Sequence, residues 1–80
     1  MTTRPLHIIA DDIRCNWTNL SAYAAPYVDA MTDLSSLNDM YHSDSATSVV
    51  RYFLSNAGSW RGEHAKRIKA ELNAMLKAHN

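Results

Sequence analysis

Apolar side chains return every three or four residues along most of this chain, and that period demands helices that pack side by side. In "LHIIADDIRCNW", Leu6, Ile9, Ala10, Ile13 and Trp17 fall on one stripe. A strand would alternate every second residue instead. Pro5 suits the start of such a helix, because its missing N–H leaves no helical bond unmade. A first helix is expected over about 5–17. Ile8 and Cys15 lie outside the stripe, seven residues apart on the opposite face, beside Asp11 and Asp12.

The same period continues. "TNLSAYAAPYVDAMTDL" holds a second helix from Tyr23 or Pro26 to Leu34, with Tyr27, Ala30, Met31 and Leu34 buried and Asp29 and Asp33 wet. Asp29 lies near the positive end of that helix. "SSLNDMYHSDSA" is rich in Ser, Asn and Asp and reads as a connection with one short helical turn around Leu37–Tyr41. Asp44 or Ser45 then caps a third helix reaching about Asn56. Its inner face carries Ala46, Val49, Val50, Phe53, Leu54 and Ala57; Thr47, Ser48, Arg51 and Ser55 lie opposite. Val49 and Val50 favour strands individually, yet the period around them is helical.

Gly58 fits a left-handed position after that helix, and Ser59 a cap for the last one, which runs to about Ala78. Ala65, Ile68, Leu72, Met75 and Leu76 share its inner side. Glu63, Arg67 and Glu71 follow at four-residue intervals outside, the spacing of helix ion pairs worth ~0.3–0.5 kcal/mol each. Lys66, Lys69, Asn73 and Lys77 line one flank. The expected fold is all-α: a single domain over 1–80, a compact small bundle of three long helices plus one or two short ones.

Composition narrows the class further. Two Gly and two Pro leave few breaks, which favours helices over turn-rich β structure. One cysteine, Cys15, cannot form an internal bridge. No run approaches the ~18 apolar residues of a membrane span. Asp11 and Asp12 interrupt the apolar run near the start, against a signal peptide. A cytoplasmic protein is expected. Net charge is zero but unevenly divided: residues 1–44 hold two basic and six acidic residues, and 45–80 hold six basic and two acidic. The molecule is therefore either dipolar or built from halves whose charges face one another.

Five of the eight Lys and Arg residues stand in "SWRGEHAKRIKAELNAMLKAHN". Arg51, Arg61, Lys66, Lys69 and Lys77 could meet the phosphates of a nucleic acid. A solvated helix face explains the lysines equally, and the chain as a whole is neutral. A helix-turn-helix in "SVVRYFLSNAGSWRGEHAKRIKAEL" fails, because His64 and Arg67 fall where its second helix needs apolar residues.

Catalytic and metal chemistry find little support. His7, His42, His64 and His79 show no ligand spacing, and "GEHAK" lacks the second histidine of a zinc helix. His42 and Asp44 could share an ion from a loop, though a plain surface loop has the same composition. Cys15 has no local partner to activate it and reads as a small apolar residue. Gly58 and Gly62 make no phosphate loop. Neither an enzyme nor a cofactor is expected.

Trp17, Trp60 and Tyr41 sit near helix ends, where large aromatics anchor neighbouring helices. Trp60 is expected over the joint of the last two helices, with Gly62 permitting a close approach. Ile8, Asp11, Asp12 and Cys15 form the best partner-binding candidate. Either the "TNLSAYAAP" segment covers Ile8 and Cys15, or they stay open for self-association into a homo-oligomer or for another protein.

The runs "IADDIRCNW", "PYVDAM" and "DSATSVVRYFLSNAGSWRGEHAKRIKAEL" resemble a group of short helical proteins. These are carried by phages and mobile elements of Gram-positive bacteria, notably actinobacteria and mycobacteriophages. The likeness covers nearly the whole chain and is most specific in "YFLSNAGSWRGEHAKRIKAEL". It departs at "HIIADDIRCNW", where a basic residue near Cys15 is more usual. The resemblance implies an accessory protein inside a bacterial host cell, acting by protein–protein interaction with a host protein and inhibiting host growth. The alternative is a small nucleic-acid-binding accessory protein using the C-terminal basic helix.

Overall fold

The computed structural model describes residues 4–41 and 44–79. Four helices carry the fold among them: α1 (Leu6–Asn16), α2 (Ala25–Thr32), α3 (Ala46–Ser55) and α4 (Glu63–His79). A two-residue antiparallel pair, β1 (Met40–Tyr41) with β2 (Asp44–Ser45), precedes α3, with Met40 opposite Ser45 and Tyr41 opposite Asp44. The protein is all-α. Residues 37–41 make a turn and this ladder rather than a short helix.

Pro5, Pro26 and Ser45 mark the starts of α1, α2 and α3. Pro5 precedes α1 without a side-chain cap. The Leu6 and His7 amides would be orphaned, and they donate instead to the Ser35 and Leu34 carbonyls, each at 3.0 Å. So the turn after α2 caps the start of α1. Pro26 occupies the first turn of α2, where proline costs nothing. Ser45 caps α3: its Oγ accepts from the Ser48 amide at 3.2 Å.

One connection departs from expectation. α4 starts at Glu63, four residues beyond Ser59, so Ser59 does not cap it. The positive φ belongs to Gly62 (109°) and not to Gly58. No heavy atom lies within 4 Å of where a Cβ on Gly62 would stand. Backbone conformation, not close approach, is what asks for glycine there.

The helices close on one apolar core. Leu6, Ile9 and Ile13 of α1, Val28 and Met31 of α2, Val50 and Phe53 of α3, and Ile68 and Leu72 of α4 are among its fully buried members. Tyr27, expected on the buried side, is only half-buried at the core's edge, and Val28, outside that expected set, is fully buried. Trp17 and Trp60 are both buried and stack with rings 5.1 Å apart and 2° from parallel. Phe53 meets Trp17 edge-on at 6.4 Å. This trio ties the end of α1 to α3 and to the α3–α4 connection, and offset or edge contacts are the arrangements aromatic quadrupoles favour. The radius of gyration, 11.4 Å, matches the ~11.6 Å of a well-folded chain this long.

Candidate functional site

α1 runs between α2 and α4, and charged side chains fasten it on both flanks. On the α2 side, Arg14 donates to the Thr32 hydroxyl at 2.7 Å and to the Asp29 carboxylate. On the α4 side, Asp12 accepts from Arg67 at 2.9 Å and pairs with Arg4 at 3.0 Å. Arg4 also forks onto both Glu71 oxygens, at 2.6 and 2.9 Å. Bidentate pairing of this kind is strong and directional. Arg67, and then Arg4, hold the Asp12 carboxyl down to about 2 from its ordinary 3.8. Glu71, and then Asp12, raise Arg4, and Asp12 raises Arg67.

This arrangement reassigns two sets of residues. Arg67 reaches across to Asp12, 55 residues away, rather than pairing with Glu63 or Glu71 within its own helix. Asp12 is committed to holding α1 against α4 and is no free partner contact. Ile8, Asp11 and Cys15 remain exposed on the outer ridge of α1, and the "TNLSAYAAP" segment does not cover Ile8, which shows 41% of its surface.

A second surface had no signal in the helical periodicity. Tyr52 of α3 is 53% exposed, and its ring lies 5.7 Å from that of Tyr27 on α2. Tyr23, four residues ahead of Tyr27, is 78% exposed. Thr32 and Asp29 face α1, whereas Tyr27 faces α3, so Tyr27 and Tyr52 meet on the flank of α2 away from α1, and Tyr23 stands in the turn ahead of α2. Tyrosine off the apolar stripe was the available clue, since its ring gives contact area at low entropic cost.

The cations divide cleanly. Arg4, Arg14 and Arg67 are spent on carboxylates. Arg51, Arg61, Lys66, Lys69 and Lys77 have no carboxylate partner among the described residues. Lys69 donates to the Trp60 carbonyl at 2.7 Å.

Among the described residues no three His, Cys, Asp or Glu side chains gather as a metal set. His42 lies outside the described residues. His64 Nδ1 contacts Arg67 at 3.0 Å. Asp39 is lowered by the Ser35 amide, then by that of Ser36, and these bonds pin the turn after α2. No helix among the described residues is long and apolar enough to cross a membrane. Comparison with protein-family models, curated proteins and solved structures gives no match.

Proposed function

We propose that this chain is a non-enzymatic interaction protein that docks a bacterial host protein on its tyrosine-bearing α2–α3 face. The exposure of Tyr52 beside half-buried Tyr27, with exposed Tyr23 in the turn ahead of α2, carries this reading. Tyrosines are enriched at the centres of protein interfaces, where a ring is desolvated and its hydroxyl still finds a partner. The α1 ridge offers less, since Asp12 is withdrawn from it and Ile8 is its one large apolar residue. Resemblance to short phage and mobile-element proteins supports a host-directed accessory role in the bacterial cytoplasm that ends in growth inhibition.

Tagged protein in a host lysate tests the reading. One host protein is expected to be enriched, and Tyr23→Ala with Tyr52→Ala is expected to abolish that enrichment while Ile8→Asp preserves it. The reverse pattern would move the docking surface to α1. Sedimentation of the purified chain separates a host partner from a second copy. No specific capture and no self-association would refute the interaction role.

The second reading, nucleic-acid binding, is favoured by one observation: of the five cations without carboxylate partners among the described residues, Lys66, Lys69 and Lys77 stand on α4 and Arg61 just ahead of it, with Arg51 on α3. A gel shift that weakens steeply with salt and vanishes when Lys66, Lys69 and Lys77 become Glu would support it. A shift indifferent to those changes would not.

A further inference from the structure

The α3–α4 connection and the first turns of α4 border an open groove of about 430 Å³. Arg61, Lys66 and Lys69 line it, with Gly58, Gly62 and Ala65 contributing little bulk. No acidic residue lines it, and none of the three cations pairs with a carboxylate among the described residues. Like charges gathered in one concavity repel, and a multivalent anion relieves that repulsion best.

Lys69 is a positioned cation rather than a free one. The Trp60 carbonyl holds its half-buried ammonium at 2.7 Å, leaving two of its three N–H donors for a ligand. Trp60 itself is 4% exposed against Trp17 and has no open ring face to offer a base. Recognition in this groove therefore rests on charge and N–H donors, not on stacking. An anion with several oxygens and at least two charges fits those terms.

We propose that this groove is a phosphate-binding site, with Arg61 and Lys66 closing on an anion that Lys69 anchors. The phosphate can belong to a small phosphorylated ligand or to a nucleic-acid backbone; the groove reads the same group in either. The site stands apart from the tyrosine face and does not depend on protein docking.

Amide NMR of the full chain tests this, with inorganic pyrophosphate and a twelve-residue oligothymidylate titrated separately at constant ionic strength. Saturable shifts are expected at Gly62, Ala65 and Lys66. Arg61→Gln and Lys66→Gln, both at exposed positions, are each expected to weaken binding about tenfold, the usual effect of losing one charged hydrogen bond. Lys77→Gln lies outside the groove and should leave pyrophosphate binding unchanged. Tighter binding of the oligonucleotide, weakened further by Lys77→Gln, marks a backbone phosphate as the source; pyrophosphate bound as tightly or tighter marks a small ligand. Failure of both probes to saturate, or saturation indifferent to Arg61→Gln and Lys66→Gln, overturns the proposal. Spectra matching wild type away from the groove show that the variants are folded. Loss of host-protein capture would leave this titration untouched, so the two readings fail separately.

Discussion

Asp12→Asn asks whether charge holds α1 against α4. The change keeps the side chain's size and removes the negative charge between Arg4 and Arg67. In the folded chain Asp12 titrates at about 2 instead of 3.8. Each tenfold change in proton affinity is ~1.4 kcal/mol, so the depression corresponds to roughly 2.5 kcal/mol of native stability at neutral pH. Arg4 and Arg67 expose 35% and 47% of their side chains. Solvent screening therefore lowers the expected contribution to about 1–1.5 kcal/mol. A carboxylate depressed in the folded state contributes fully above its unfolded value. That contribution is lost as pH falls through the folded value, here from about 4 to about 2. Urea unfolding of wild type and Asp12→Asn at pH 7 should differ by that amount, or roughly 5–10 °C in Tm. At pH 2 the two proteins should converge. High salt should narrow the pH 7 gap as well. Equal stability at pH 7, or a gap that persists unchanged at pH 2, would refute the reasoning.

Three further outcomes follow from particular residues. Gly62→Ala should cost about 1–2 kcal/mol because its φ of 109° suits few L side chains, whereas Gly58→Ala, with open space and no positive φ, should be neutral or stabilising by about 0.4–1 kcal/mol; denaturant midpoints with the opposite ranking would contradict this. Ser45→Ala should cost about 1 kcal/mol and speed hydrogen exchange at the Ser48 amide; an unchanged exchange rate would show that the cap contributes nothing. Trp60→Ala should cost about 3–5 kcal/mol and abolish the near-ultraviolet circular dichroism of the Trp17–Trp60 stack; a loss below about 1 kcal/mol would mean that the stack does not anchor the α3–α4 connection.

Helix faces were legible because they depend on one element at a time. Leu6, Ile9, Ile13, Val49, Val50, Phe53, Ile68 and Leu72 lie where their spacing places them, since period alone decides which side chains share a stripe. A cap at Asp44 or Ser45 was legible for the same reason, and the structure gives it to Ser45, whose oxygen and the Ser48 amide are three residues apart. The surplus of cations in the second half of the chain was legible too, because it is a matter of composition along the chain.

Choices between elements were not legible. Arg67 had two acceptors at ideal helix spacing, yet it selects Asp12, because tertiary contact brings that carboxylate across from α1. Asp12 thereby leaves the surface on which its sequence neighbours Ile8 and Cys15 remain. The caps of α1 come from carbonyls about thirty residues downstream, which no local motif announces. Tyr27, spaced for the core, shares the boundary with Tyr52 and helps build an exposed aromatic face instead.

By itself the sequence determined four amphipathic segments and where the apolar and charged surplus lies along them, because side-chain direction on a helix repeats with backbone geometry. Only the tertiary structure decided which charges neutralise one another and which stay open, because that depends on how separate helices are set side by side, and Coulomb attraction follows distance in space rather than along the chain.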